Sequence, residues 1–315
     1  MIYTATTISG EKVDLGTAYS TQINKSQTTP ADSLTAAFFS KKNQPELKLI
    51  DVYSDNGQVF FSGIVDEQKF EINENGCFFT IKSRSKAAYL IDNEASPQTY
   101  NRPSLDIIFR RHIKPYGFVS VSGNKSSFNK TINVEAGMSE WDVLEKFCNL
   151  CLKTFPTVKN DGTIDASGKI SSEIITFSNT NGSTKYTSIS QKYSRYKLIS
   201  EITVCAPYAA IYVGKVKDQE LIDNGISRRK FLSMTDDPYN PEPISVETAE
   251  FMISDAKKKY KKIIIKCPGA NYAEISQKCE INDIVLGNIN NLIVYEIEYL
   301  LNKNGETTVF TLLEA

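Results

Sequence analysis

Alternating apolar and polar positions dominate the first 88 residues and predict a block of β-strands. Two Asn-Gly pairs, Asn56-Gly57 and Asn75-Gly76, fall between the alternating runs and supply the positive-φ residues that tight hairpin turns need. The candidate strands lie at 12–15, 34–39, 47–53, 58–65, 69–72 and 77–82.

The candidate strand at 58–65 carries apolar residues on both of its faces. Val59, Phe61 and Val65 share one face, whereas Phe60 and Ile64 share the other. A strand with one side in water would keep that side polar. The pattern therefore predicts packing on both sides, as in a small barrel with another element laid against its outside.

A helical period begins after Pro103, within a mixed segment that spans residues 89–187. Pro103 suits the entry of a helix, and Pro115 and Gly117 are typical of its end. The apolar face of this helix is formed by Leu105, Ile108, Phe109, His112 and Ile113.

A second helix is predicted to begin at Ser139, which forms a capping box with Asp142. Pro156 would end it, and the turn at 160–162 with the segment at 174–177 would form a hairpin that completes the mixed module. The residues along one side of this helix are Trp141, Leu144, Cys148, Cys151, Leu152 and Phe155.

Strands return after residue 188, interrupted by a third helix. Ser245 is the predicted cap of this helix, and a Pro-rich loop at 237–243 precedes it. The stripe of the helix is Val246, Ala249, Ile253, Ala256 and Tyr260. Alternation at 293–301 predicts one apolar and one mixed face, followed by a turn at Asn304-Gly305. Further candidate strands lie at 197–204, 209–213 and 229–234.

Two strand-rich blocks thus flank a mixed middle. We expect a mainly β fold with α+β portions, divided into residues 1–88, 89–187 and 188–315, with a helical insertion at about 244–262. Both blocks contain a long strand, an Asn-Gly turn and another strand, a weak parallel that fits two related barrels.

The charges nearly cancel and exclude a strongly basic protein. The 315 residues include 36 Lys and Arg against 37 Asp and Glu, a net charge of −1, so no global field favours nucleic acid. The lysines at 257–259 and 261–262 could form a local basic patch. The alternative is the solvated end of a helix, where cations also suit the dipole.

The N-terminus lacks the basic and apolar regions of a secretion signal. The run at 263–265 is far shorter than the roughly 20 apolar residues that a membrane-spanning helix needs. We expect a chain that is made in the cytoplasm and does not insert into a membrane. The six cysteines lack disulfide-scaffold spacing and are expected to be reduced and mostly buried: Cys77, Cys148, Cys151, Cys205, Cys267 and Cys279.

Residues with catalytic potential are few. His112 is the only histidine, so a Ser-His or Cys-His pair would have to use it, yet it lies on an apolar helix face, where a structural role is commoner. The pair Cys148 and Cys151 matches a redox spacing but lies well inside a helix, not at its N-terminus. No second pair is present to complete a zinc site.

The acidic candidates are the pairs Asp92 with Glu94 and Asp236 with Asp237. Both pairs lie in polar loops, where carboxylates usually cap helices or are hydrated. The glycines at 117, 123 and 137 are too far apart for a phosphate-binding loop. We therefore predict no catalytic residue, no metal site and no cofactor, and a chain that forms surfaces instead.

Three stretches, which together span most of the chain, carry a family resemblance. They comprise residues 90–95, 104–108 and 115–117, then 139–146 with 160–162, and finally 283–285, 292–299 and 305–309. In this order they resemble the baseplate hub proteins of contractile phage tails and phage-tail-like particles, the family that includes the late control hub proteins.

The resemblance implies a structural function without enzymatic activity. It implies a homotrimer in which two tube-like β-barrels per chain form a pseudo-six-fold ring, an adaptor between the six-fold tail tube and the trimeric central spike. The implied partners are the tail tube protein, the central spike protein, the baseplate wedge proteins and the tape-measure protein. The chain would be assembled into a virion or tail-like particle, with no specific nucleic-acid binding.

Two other functions stay open at this point. One is a cell-wall hydrolase associated with the tail, since some members of the resembled family are fused to such domains; the single histidine argues against the common types. The other is a β-rich carbohydrate-binding module, because 16 Tyr and one Trp could form a stacking platform. Tyr295 and Tyr299, however, follow the pattern of core residues.

Overall fold

The computed structural model describes residues 1–180, 183–205, 212–233 and 241–315. Its strands and helices confirm a mainly β fold with α+β portions. Four predicted features lie wholly or partly outside the described residues: the strand at 209–213, the end of the strand at 229–234, the loop at 237–243 and the pair Asp236 with Asp237.

Residues 1–88, all of which are described, form a block of strands. The Asn56-Gly57 and Asn75-Gly76 pairs lie at hairpin turns, with φ of 83° at Gly57 and 128° at Gly76, which confirms both predicted hairpins. The strands at the N-terminus and at 18–26 were not predicted. The seven strands are β1 (Ile2–Thr7), β2 (Lys12–Asp14), β3 (Ala18–Ser26), β4 (Ser33–Phe39), β5 (Leu47–Tyr53), β6 (Val59–Asn73) and β7 (Gly76–Ser85).

The middle of the chain packs short helices on small sheets, as the mixed pattern predicted. Ser139 and Asp142 form the predicted capping box, and Gly117, with φ of 82°, ends the earlier helix. Both helices continue as π-helical turns, at Phe109–Ile113 and Cys148–Leu152. The elements are α1 (Ala88–Ile91), β8 (Gln98–Asn101), α2 (Leu105–Ile108), β9 (Ser120–Ser122), β10 (Thr131–Val134), α3 (Glu140–Phe147), β11 (Thr157–Val158) and β12 (Thr163–Asp165).

The C-terminal part returns to strands around a long helix. That helix begins at Pro241, so the prediction that Ser245 caps it is wrong. Its buried face contains Ala249, Ile253 and Ala256, as predicted. The elements are β13 (Ser171–Ser178), β14 (Ser188–Tyr193), β15 (Glu201–Cys205), β16 (Tyr212–Lys217), α4 (Gln219–Asp223), β17 (Arg229–Ser233), α5 (Pro241–Tyr260), β18 (Lys261–Pro268), β19 (Gln277–Asp283), β20 (Gly287–Asn302) and β21 (Gly305–Glu314).

The two strand-rich blocks are joined in one sheet. Of the described strands, thirteen form this sheet, in the order β14-β18-β21-β20-β3-β4-β7-β6-β5-β1-β2, with β19 beside β20 and β13 beside β19. The C-terminal strand β20 pairs directly with the N-terminal strand β3. Because no described pairing joins the two ends of this order, the prediction of two closed barrels is not met.

The hairpin predicted from residues 160–162 and 174–177 is wrong. The turn at 160–162 joins β11 to β12 instead. The segment at 174–177 belongs to β13, which runs parallel to β19 in the large sheet. Alternating apolar positions indicate that a segment is a strand, but they do not determine which other strand it pairs with.

A β-bulge in β20 changes the alternation predicted at 293–301. The pairing of β20 with β21 shifts register between Val294 and Glu296, so Tyr295 is the extra residue. Before the bulge, the even-numbered Val294 packs into one hydrophobic core. After it, the odd-numbered Tyr299 packs into another. Tyr295 and Tyr299 are 4% and 0% exposed, which confirms both as buried residues.

The large sheet contains the same strand arrangement twice. The strands β3 to β7 pair in the order β3-β4-β7-β6-β5, and β14 with β18 to β21 pair in the order β14-β18-β21-β20-β19, all antiparallel. We call these the N-terminal unit and the C-terminal unit. The elements between β14 and β18, including α5, are an insertion in the C-terminal unit.

Each unit has its own hydrophobic core, and a third core lies in the middle of the chain. The side chain of Val65 packs on the core of the N-terminal unit, while Ile64 packs on the core of the middle segment. The two-sided packing predicted for this strand is therefore confirmed, but Phe60 packs in the core of the N-terminal unit and not with Ile64 as predicted.

Candidate functional site

The only histidine lies in a buried hydrogen-bond network. His112, in the turn after α2, is 2% exposed. Its Nε2 lies 2.7 Å from the hydroxyl of Tyr100, and its Nδ1 lies 2.5 Å from Oε2 of Glu140. The hydroxyl of Tyr116 donates to Oε1 of Glu140 at 3.1 Å. One arrangement satisfies all these groups, with Tyr100 donating to Nε2 and Nδ1–H donating to Glu140.

This network connects three elements of the middle segment. Tyr100 lies on β8, His112 follows α2, and Glu140 is the first residue of α3. Sequence reasoning missed Tyr100, Tyr116 and Glu140, because partners on separate elements share no local spacing. Buried, fully paired polar groups of this kind stabilise and orient the elements that contribute them.

The two cysteines with redox spacing are buried thiols. Cys148 and Cys151 are both free, and they lie in the core of the middle segment. Burial raises the pKa of Cys151 to about 11 and raises the pKa of Cys148 still further above its ordinary value. Both thiols are therefore protonated at neutral pH, the unreactive form of the group. All six cysteines of the chain are free, as expected.

The acidic pair Asp92 and Glu94 does not converge on a site. The carboxylate of Asp92 lies 2.8 Å from the guanidinium of Arg84, whose hydrogen bonds lower the pKa of Asp92. Glu94 instead forms a backbone bridge with Ser139. Among the described residues, no group of three or more His, Cys, Asp or Glu side chains could hold a metal ion.

Four of the five lysines at the end of α5 and the start of β18 pair with carboxylates. Lys257 lies 2.9 Å from Asp218 and 3.1 Å from Glu220, and Lys259 lies 2.8 Å from Asp255. On β18, Lys261 pairs with Glu314 and Lys262 pairs with Glu296. Paired charges leave little local field for phosphate groups, so the geometry favours the interpretation as a helix end.

A cleft of about 1070 Å³ lies between the middle segment, α5 and both strand units. Many lining residues are polar, and some of their charges pair within the cleft: Lys25 lies 3.5 Å from Asp32, and Lys259 lies 2.8 Å from Asp255. Asp165 accepts hydrogen bonds from Ser122 and Ser167. The described lining contains no histidine and no cysteine, so it holds no Ser-His or Cys-His pair.

Several apolar side chains point into solvent. Tyr19, Phe39 and Phe78 form a cluster on neighbouring strands, with ring centroids 4.6 Å and 5.4 Å apart. At the turn between β19 and β20, Ile284 and Val285 are fully or almost fully exposed. Clustered exposed apolar groups are typical of association surfaces.

The described chain offers surfaces more than pockets, and no helix in it is long and apolar enough to cross a membrane. No protein-family model matches the chain, and no curated protein matches its sequence. Solved structures do match it, over nearly its whole length.

One match is the tail protein from Neisseria meningitidis MC58, with a TM-score of 0.79 and 17% identity over 99% of this chain and 96% of that one. Another is the 43 kDa tail protein of prophage MuSo2 from Shewanella oneidensis, with a TM-score of 0.78 and 15% identity over 99% and 97% of the two chains.

A more distant match is an Escherichia coli protein described as a component of the type VI secretion system, with structural similarity to the T4 bacteriophage tail proteins gp27 and gp5. Its TM-score is 0.59 at 6% identity, covering 95% of this chain and 73% of that one. The resemblance seen in the sequence is thus confirmed at the level of structure: this chain has the fold of phage tail proteins.

Proposed function

We propose that this chain is a structural hub subunit in the baseplate of a contractile phage tail or tail-like injection particle. The observation that carries the proposal is the fold match to two phage tail proteins over at least 96% of each partner's length. A match over such lengths leaves little of either chain without a counterpart.

The repeated strand unit supports a role as a symmetry adaptor. One chain carries an N-terminal and a C-terminal unit of the same strand order, so three chains would present six similar units. Such a trimer would meet a six-fold tail tube protein on one side and a trimeric central spike protein on the other. Baseplate wedge proteins would surround it, and the tape-measure protein would lie in the tube.

The proposed role is mechanical and not catalytic. The hydrogen bonds of His112 are all made inside the core, and the thiols of Cys148 and Cys151 are held protonated. A cell-wall hydrolase would release soluble fragments from purified peptidoglycan. We expect none, and release that is lost on His112→Ala in a folded variant would contradict the proposal.

The predicted division of the chain fits this role. We place the parts that build the ring at 1–88 and 188–315, with the module at 89–187 and the helical insertion at about 244–262 outside it, except that β13 of the module adds to the large sheet. In this arrangement, the chain is made in the bacterial cytoplasm and then assembled into the particle.

Light scattering over a concentration series tests the proposal, because the monomer mass is 35.2 kDa. We expect the mass to rise towards three times that value, with ring-shaped particles of three-fold symmetry in negative-stain images. A monomer at every concentration, also when mixed with its cognate spike protein, would contradict the trimeric hub. Glycan binding by that monomer would favour the carbohydrate-binding alternative.

A further inference from the structure

The two repeat units share their residue register as well as their strand order. All ten paired positions of β6 with β7 have counterparts in the pairing of β20 with β21, each 229 positions later. Asn73 opposite Gly76 corresponds to Asn302 opposite Gly305. The bulge also falls at the same place, so that Asp66 corresponds to Tyr295.

The next two strands continue this correspondence. Six pairs of β4 with β7 have counterparts, again 229 positions later, in the six pairs of β18 with β21. Ala36 therefore corresponds to Ile265 on β18. Thr21 lies opposite Ala36 and Ile189 lies opposite Ile265, so β3 corresponds to β14.

Within the chain, the two units meet where β3 pairs with the second half of β20. Leu301 lies opposite Thr21 there, and Glu296 lies opposite Ser26. The counterpart of that half of β20 is the second half of β6, from Glu67 to Ile72. The counterpart of β3 is β14. In the described part of the chain, β14 pairs only with β18, and this half of β6 pairs only with β7.

We propose that these two free edges bind each other between neighbouring copies of the chain. The edge of β14 in one copy pairs antiparallel with the second half of β6 in the next. By correspondence with β3 and β20, Ile189 lies opposite Ile72, Ser190 opposite Glu71, and Lys192 opposite Lys69. This interface deepens the trimeric hub proposed above and rests on it.

Side-chain exposure supports the pairing. At the junction within the chain, Thr21, Ile23 and Tyr299 are at most 2% exposed. At the free edges, in contrast, Ile72 is 71% exposed and Tyr193 is 53% exposed. The interface would cover both side chains. Their counterparts at the inner junction, Leu301 and Lys25, are only partly exposed.

The unpaired backbone groups of β14 also favour pairing with another strand. The β14 ladder with β18 has six pairs without a register shift, so in the described part of the chain its outer edge presents a regular row of unpaired amide and carbonyl groups. An edge of this kind is a template for another strand. The second half of β6 can supply that strand, in the geometry in which β20 pairs with β3.

The interface would be head-to-tail, because it joins two different surfaces of the same chain. Contacts of this kind close into rings when the rotation between copies allows it. If each interface repeats the rotation of the inner junction, the copies alternate N-terminal and C-terminal units around one ring. Three copies then give the six units of the proposed hub.

This register places two lysines directly opposite each other, a repulsion that neighbouring carboxylates offset. The ammonium of Lys69 already pairs with Glu71. The residues diagonal to Lys192 would be Glu67 and Glu71, which are within reach of a long side chain. Two carboxylates thus surround the two facing lysines.

Disulfide trapping tests the register. In a Cys77→Ser, Cys205→Ser background, Glu71→Cys with Ser190→Cys places one cysteine on each edge, at a partly exposed and an exposed position of the monomer. Directly opposite residues on antiparallel strands lie about 4.5–5.5 Å apart at Cα, within disulfide range. Ile72→Cys with Ile189→Cys tests the other face. The control, Ile72→Cys with Ser190→Cys, is shifted by one residue, so its cysteines would point to opposite faces.

We expect a matched pair to shift the non-reduced mass from 35.2 kDa to two and three times that value, and the shifted pair to stay largely monomeric. If light scattering shows trimers but neither matched pair links more than the control, this interface is wrong and the hub proposal stands. If the chain is monomeric and no pair links, both fail. Equal linking in matched and shifted pairs would also overturn the register.

Discussion

The junction between β20 and β3 and the free edges of β14 and β6 are built from corresponding strands, yet they differ in what they expose. At the junction, Ile23 and Tyr299 are 2% and 0% exposed. At the free edges, their counterparts Gln191 and Phe70 are exposed and partly exposed, and the neighbouring Ile72 is 71% exposed. One set of strand surfaces is completed inside the chain, and the other is left open.

This difference shows how a repeated unit can encode association. The two units of one chain form one junction, between β3 and β20. Among the described strands, they leave two edges unpaired, β14 and the second half of β6, which correspond to β3 and β20 and could pair in the same way. An unpaired strand edge is a liability for a lone molecule. For a subunit of a ring, the same edge is the place where the next copy continues the sheet.

The largest effect should come from truncating a junction residue and its counterpart. We expect Ile23→Ala to lower the free energy of unfolding by about 2–5 kcal/mol, because a buried aliphatic side chain is lost from a packed core. Its counterpart on β14 is Gln191, where the Ala variant should change stability by less than about 0.5 kcal/mol in dilute, monomeric protein. Urea denaturation of both variants measures the contrast.

Equal losses at the two positions would show that the free edge of β14 is already covered within one chain. The junction and the free edge would then not differ in burial, contrary to this account.

Much of the N-terminal unit follows from local rules. The hairpins at Gly57 and Gly76 follow from the positive-φ positions that Asn-Gly pairs supply. The capping box of Ser139 and Asp142 is equally local. Such features depend on neighbours in sequence, so the sequence predicts them.

The features that were missed depend on distant partners. The register shift at Tyr295 leaves no sign in the alternation of apolar residues. The pairing of β20 with β3, and of β13 with β19, joins segments far apart in the chain. The partners of His112 lie on separate elements for the same reason. The equal register of the two units has no clear sign in the sequence, because few identical residues mark it.

A smaller effect should distinguish the two units at Gly63 and its counterpart Leu292. A Cβ atom at Gly63 would meet the carbonyl oxygen of Arg84 and lie 2.8 Å from the ring of Phe61. We expect Gly63→Ala to cost about 1–3 kcal/mol through overpacking. The matched control is Ser62→Ala on the same strand, which should stay near the wild type in thermal or chemical unfolding. A neutral Gly63→Ala would show that the N-terminal unit has room at this site.

The smallest effect concerns Arg84, whose counterpart is the buried Leu313. Arg84 pairs with Asp66 and Asp92, and all three side chains are partly exposed. We therefore expect Arg84→Leu to cost no more than about 1 kcal/mol at neutral pH.

The pH dependence of this ion pair has a defined sign. Because Arg84 lowers the pKa of Asp92 in the folded state, the pair stabilises the fold above the ordinary pKa of an aspartate and loses that effect as the pH falls through the lowered value. The difference between wild type and Arg84→Leu should thus shrink in acid below about pH 4. A difference that grows in acid would contradict this role.

Hydrogen exchange at the strand edges tests the central claim most directly. Amides of β3 should be protected at every concentration, because the junction is closed within the chain. Amides on the outer edge of β14 and on the second half of β6 should exchange fast in the monomer and become protected together as the trimer forms. Fast exchange at both edges in a trimer of confirmed mass, or protection of β14 in the monomer, would contradict the claim that these edges complete the ring.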